Sequence, residues 1–138
     1  MIATLILPLL LQSAETLPEC DQAGADKGYQ QAMNQCAYRD FLIADAELNA
    51  QWSITRARMK QDDADFAASP SAEFDTREGS FDRLLEAQRG WLRYRDAHCQ
   101  VSGYEARGGS LEPLLVAMCK TELTRQRTQQ LKDLVETH

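Results

Sequence analysis

The stretch that decides the fold is residues 33–59, MNQCAYRDFLIADAELNAQWSITRARM. Its large or apolar residues, Met33, Ala37, Phe41, Ala44, Leu48, Trp52 and Met59, recur at steps of three or four or their sums. That is the period of one face of an α-helix. No strand-like alternation competes with it, and β-branched residues are few. The period extends in both directions and predicts one long helix from about Lys27 to Phe66, with a kink allowed.

Breakers then divide the rest of the chain. N-terminal to the long helix, Asp21 is a natural N-cap for a first short helix that contains Gly24 and Gly28. On its C-terminal side, Ser69-Pro70-Ser71 and Gly79 mark a break over residues 67–79. Ser80 is placed to cap a second long helix through about Tyr104, whose apolar side carries Phe81, Leu84, Leu85, Trp91, Leu92 and Cys99. Arg107-Gly108-Gly109 reads as a turn, and Ser110 as the start of a last helix. Leu111, Leu114, Leu115, Met118, Leu131, Leu134 and Val135 are expected on the buried face of that helix, with Thr124 and Thr128 in a thinner middle. Helices joined by short turns bury such stripes against one another. The expected fold class is all-α, an antiparallel bundle of three to four helices.

A chain of 138 residues is one domain's worth of sequence. Residues 1–14, an apolar run followed by Gln12-Ser13-Ala14, read as a secretory signal peptide, leaving 15–138 as a single domain. Four cysteines behind such a segment point to two disulfides, with three connectivities open. The spacings favour Cys20–Cys36 and Cys99–Cys119 and an oxidising, periplasmic or secreted location. Zinc is disfavoured because no close C-x(2–4)-C pair exists. Lipid anchoring at Cys20 is disfavoured because Leu17-Pro18-Glu19 precedes it where small residues are wanted. Stable membrane insertion is not expected, since no apolar run reaches the ~20 residues a span needs.

Charge is segregated. Asp62, Asp63, Asp65, Glu73, Asp75, Glu78 and Asp82 face only Arg77, so the segment 62–82 carries the whole net charge of −6. The remaining fourteen acids and fourteen bases cancel. Asp62, Asp63 and Asp65 are therefore candidates for receiving a basic partner, since clustered charge accelerates association. Nucleic acid is disfavoured because no basic stripe interleaved with aromatics is present.

Catalysis finds little footing. Of the two histidines, His98 adjoins a cysteine expected in a disulfide and His138 is terminal. Asp45 and Glu47 lie two positions apart and point to different helix faces. No metal site and no cofactor is expected. Polar residues inside the helical stripes have a packing role to fill instead. Asp45 can pair with Arg95, and Asn49 with Gln88 or Arg127, satisfying polar groups held between helices. Arg93, Arg95 and Asp96 could alternatively form part of a recognition surface. Gly108, Gly109 and Ser110 form a second candidate, because glycine lets a backbone approach a partner closely.

Several of these motifs occur together. Asp45-Ala46-Glu47-Leu48-Asn49, the string Gln88-Arg89-Gly90-Trp91-Leu92-Arg93-Tyr94-Arg95-Asp96-Ala97-His98-Cys99, Gly108-Gly109-Ser110, and Cys119 with Leu123-Thr124, Arg127 and Leu131 jointly resemble the lysozyme inhibitor LprI N-terminal domain family. The resemblance spans roughly Cys20 to Val135. It implies an exported, helical, cysteine-bridged domain that binds a partner, with lysozyme inhibition as the namesake activity. The partner it implies is a basic lysozyme-type hydrolase; another envelope protein is the alternative.

Overall fold

The computed structural model describes residues 16–137. The segment read as a signal peptide and His138 lie outside the described residues. The chain forms α1 (Gln22–Asp26), α2 (Gln30–Ala67), α3 (Ser80–Gly103) and α4 (Glu112–Thr137), with short 3-10 turns at Pro70–Phe74 and Tyr104–Ala106. There is no strand among the described residues. The chain is all-α, as its periodicity predicts.

The element ends have local causes. Asp21 caps α1, its Oδ1 accepting from the Gly24 N–H at 2.9 Å. That helix stops after one turn because Gly28 takes a left-handed φ of 83°. The expected start of the long helix at Lys27 is thus displaced to Gln30. At α3 the expected cap is also displaced: Gly79 holds the N-cap position and no side chain of its own provides the bond. Asp63 of α2 provides it instead, accepting from the Ser80 N–H at 2.6 Å and the Phe81 N–H at 2.9 Å. A carboxylate at a helix N-terminus meets both unsatisfied N–H groups and the positive end of the dipole. α4 begins at Glu112, two residues later than Ser110, with Pro113 in its first turn where a missing N–H is harmless.

Three helices make the body of the molecule. Asn34 Nδ2 donates to the Ser110 carbonyl at 2.9 Å, and Thr55 Oγ1 donates to the Leu131 carbonyl at 2.9 Å. Both bonds span the same sequence separation, so α2 and α4 run parallel and in register. α3 runs antiparallel to both and returns the chain from one end of α2 to the other. The α2–α4 contact is the most extensive in the molecule.

The α2 stripe is buried as its spacing predicts, with Ala37, Ala44, Leu48 and Met59 inside and Met33, Phe41 and Trp52 half-buried. Leu48, Met59, Leu84 and Leu131 form the apolar core, flanked by Trp52, Phe81, Trp91 and Leu134. The buried face of α4 keeps the expected Leu131 but otherwise differs from expectation. It consists of Ala117, Thr121, Thr124, Thr128 and Leu131, at alternating steps of four and three, the ~3.5-residue repeat of a supercoiled seam. Met118 points outward at 57% exposure and Leu111 is also exposed. Short side chains let two parallel helices approach closely, and threonine remains tolerable inside because its hydroxyl finds a carbonyl one turn back. Thr121 donates to Ala117 O and Thr128 to Thr124 O, each at 2.9 Å. Hydropathy favours the leucines and the methionine; geometry selects the threonines.

Truncation separates these two readings of α4. Leu131→Ala is expected to destabilise the protein by about 2–5 kcal/mol, the range for emptying a tightly packed core site. Met118→Ala is expected to change stability by no more than about 0.5 kcal/mol, as for other exposed positions. Urea denaturation followed by circular dichroism measures both, and equal losses would contradict the packing described.

Candidate partner-binding site

Both disulfides close as the spacing favours. Cys20–Cys36 ties the N-terminal arm to α2 across a Cα–Cα distance of 4.9 Å, and Cys99–Cys119 ties α3 to α4 at 5.5 Å. No free cysteine is present among the described residues. Cys99 is wholly buried, so this link lies inside the bundle and not at its surface.

The inter-helix polar residues gather around Arg95. Its guanidinium is buried where all three long helices meet. Nη1 donates to Asp45 Oδ1 of α2 at 3.0 Å and to Thr124 Oγ1 of α4 at 3.3 Å, and Nε donates to Asp96 Oδ1 at 3.0 Å. The Phe41 and Trp91 rings lie 5.2 Å and 5.1 Å from its carbon, within range for cation–π attraction. Lys120 approaches Asp96 at 3.4 Å, so two cations and two carboxylates balance there. Gln88 completes a second bridge: Arg127 Nε donates to Gln88 Oε1 at 2.9 Å. Partial burial pushes the Arg127 guanidinium below the ordinary arginine range. Asn49 stands apart from both groups. It is exposed, and the partner of Gln88 is Arg127.

This geometry sorts the residues considered for a partner. Arg95 is enclosed by the bundle, and Asp96 is engaged by Arg95 and Lys120, whereas Arg93 is exposed. Asp63 uses both oxygens to cap α3. Asp62 accepts from Arg58 Nε at 2.9 Å, and Asp65 accepts from Gln61 at 2.8 Å while remaining exposed. The acidic residues therefore cluster around the α2–α3 connection, in a groove lined by Asp62, Phe66, Asp75, Glu78 and Arg83. Gly108, Gly109 and Ser110 lie at the other end of α3. Its 24 residues separate the two ends by about 36 Å at 1.5 Å per residue.

The glycine loop is pinned. Gly108 adopts φ 80°, its N–H donates to Glu112 Oε2 at 2.7 Å, and Asn34 holds the Ser110 carbonyl from α2. Arg107 packs over the Tyr104 ring at 4.5 Å. At the acidic end an aromatic escapes sequence reasoning: Phe74, on the 3-10 turn, is 84% exposed. Phe66, at the expected end of the long helix, is exposed nearby in sequence. Acids around exposed aromatic rings make a surface suited to a basic partner with an apolar contact. The signal was present in Glu73-Phe74-Asp75, an isolated aromatic between acids in a segment rich in breakers.

The described residues contain no group of three or more His, Cys, Asp or Glu able to hold a metal ion. None of their helices is long and apolar enough to cross a membrane. His98 stacks on Tyr94 with ring centroids 5.2 Å apart. Taken together, these features define a small disulfide-tied helical scaffold whose inward polar side chains are committed to packing. Within that class the chain belongs to the lysozyme inhibitor LprI family, whose model matches residues 20–131. This is a family of inhibitors and not of enzymes. The chain is also 42% identical over 120 residues to an uncharacterized protein of Rhizobium meliloti (strain 1021), covering 87% of this chain and 81% of that one. No solved structure matches it.

Two tests follow from the acidic end. Asp63→Ala removes the cap supplied from α2 and is expected to lower stability by about 0.5–2 kcal/mol; Asp65→Ala serves as the neutral control. If thermal melts show the two variants equal, Asp63 does not hold α3. Asp75, which accepts side-chain and backbone hydrogen bonds from Arg77, has its carboxyl lowered from 3.8 to about 2. The pair therefore favours the folded protein fully above pH 3.8, and that contribution disappears as pH falls through about 2. An NMR titration of the Asp75 carboxyl should return to the ordinary carboxylate range in Arg77→Ala, and an unshifted titration there would remove Arg77 as the cause.

Proposed function

We propose that this protein is exported and inhibits a lysozyme-type muramidase by covering its cleft through protein–protein contact. Membership of the lysozyme inhibitor family carries the reading. Two disulfides suit a compartment outside the reducing cytoplasm, where such a hydrolase would be met. Muramidases of this kind are commonly cationic and work with two carboxylates across a sugar-binding cleft. An acidic binder is drawn to such a target over long range, and its apolar residues hold the encounter once formed.

The docking surface in this proposal is the acidic end of the bundle, with Asp62, Asp65, Glu73 and Glu78 steering and exposed Phe74 as the apolar anchor. The pinned Gly108–Gly109–Ser110 loop at the far end, together with Arg93 and Asp96, takes no part in the first contact. Inhibition by occlusion needs no catalytic group in the inhibitor. It needs a surface that stays rigid when the target's cleft closes on it, and two cross-links with a buried ion network give the scaffold that rigidity.

A turbidity-clearing assay on bacterial cell walls tests the proposal with several lysozymes. The purified protein is expected to slow clearing in proportion to its concentration. Phe74→Ala combined with Asp65→Lys is expected to weaken inhibition by roughly tenfold or more, the loss typical of a removed interface anchor. Clearing at the uninhibited rate in the presence of a large molar excess would reject the reading.

A further inference from the structure

α3 carries a second stripe that the bundle does not use. Leu84, Gln88, Arg95 and Cys99 form its buried side, with Trp91 half-buried. On a different side of the same helix lie Ala87, Gly90, Tyr94, Ala97 and Val101, and Tyr104 on the 3-10 turn that follows it continues the row, at alternating steps of three and four. This is the same ~3.5-residue repeat that forms helix–helix seams, yet no other element among the described residues covers it. Val101 is 65% exposed, Tyr94 54% and Tyr104 46%, and Ala87 and Ala97 are exposed. A Cβ added at Gly90 would meet nothing within 4 Å. Scattered exposed apolar residues are ordinary on a protein surface, whereas an ordered row is the mark of a partner face.

The order of sizes along the row identifies the partner. Reading from Ala87, it runs small, small, large, small, large, large. Set antiparallel against a copy of itself, with the two-fold axis passing between positions 95 and 96, Tyr94 faces Ala97, Val101 faces Gly90, and Tyr104 faces Ala87. Every large side chain then meets a small one, and by symmetry each pairing occurs twice. Alternation of large and small across facing positions is what lets two helices interdigitate without voids or clashes. We propose that the protein self-associates as an isologous dimer through this face of α3, the stripe packing antiparallel on its own copy.

The seam runs about 27 Å along each helix at 1.5 Å per residue, which places the contact among small, reversible interfaces and not obligate ones. An isologous pairing closes on itself and does not propagate into fibres. It leaves the acidic α2–α3 connection free on both copies, facing away from each other along the antiparallel helices. Dimerisation does not depend on the inhibitory reading, and it would give that reading two target-binding ends per particle.

Sedimentation velocity of the full chain, run from low micromolar to millimolar concentration, tests the proposal. Wild type is expected to shift from monomer to dimer across the series. Val101→Glu places a charge in the seam and Gly90→Val overfills it, and each is expected to weaken association by roughly tenfold or more. Neither should lower the melting temperature, since both positions lie outside the core and valine is a better helix former than glycine. Gly90→Val combined with Val101→Ala restores the large-to-small pairing and is expected to recover dimer. A chain that stays monomeric throughout overturns the proposal. So does a dimer indifferent to Val101→Glu, which would place the contact on another face, or a double variant no better than Gly90→Val alone, which would remove the antiparallel register. Finally, a monomeric wild type whose Val101→Glu variant loses lysozyme inhibition would assign the face to the target and not to a second copy.

Discussion

One guanidinium holds three helices in their positions. Arg95 projects from α3 into the space between α2 and α4, where bulk water no longer solvates it. An enclosed charge without compensation would cost several kcal/mol, so the surrounding groups must be in place together. Asp45 must come from α2 and Thr124 from α4, while Asp96 is the next residue along α3, with the Phe41 and Trp91 rings on the guanidinium faces. A shift of any helix by one residue would withdraw at least one of these groups. The network thus acts on register more than on total stability, and the apolar core beside it supplies most of the favourable burial.

That constraint explains the unusual face of α4. A helix lying parallel to α2 and within reach of Arg95 must present short side chains, and the chain supplies Ala117, Thr121, Thr124 and Thr128. Threonine is a compromise suited to the place: small enough for close approach, and able to return its hydroxyl to its own helix when no water remains. Thr124 spends its hydroxyl on Arg95 instead. With α2 and α4 locked in parallel, α3 is obliged to run the other way, and the two connections are carried to opposite ends of the molecule.

Separation of the ends has a functional consequence. The acidic connection with its exposed Phe74 and the pinned glycine loop are not parts of one surface. The rigid body between them is cross-linked at both the N-terminal arm and the α3–α4 pair, so neither end needs to move for the other to engage a partner. A body that keeps its shape on binding loses less ordering entropy to a partner than a flexible one would.

Legible in the sequence were the helical class, the long α2 with its buried stripe, the disulfide pairings favoured among the three connectivities, and the Asp45–Arg95 pair as one of two roles open to Arg95. Each of these follows from local spacing or from one obligatory compensation: a repeat of three and four, a short loop between cysteines, a charge that cannot sit alone on a buried face. The family resemblance was legible for the same reason, because its motifs are the residues held by those constraints. Tertiary structure decided what depends on distant segments meeting. The threonine face of α4 was chosen over Leu111 and Met118 by how closely α2 approaches, which no hydropathy pattern records. Asp63 passed from acidic surface to helix cap because α3 happens to start beside it, and Gln88 took Arg127 while Asn49 stayed outside. Where a side chain's role is set by a neighbour some twenty to ninety positions away, only the folded backbone brings the two together.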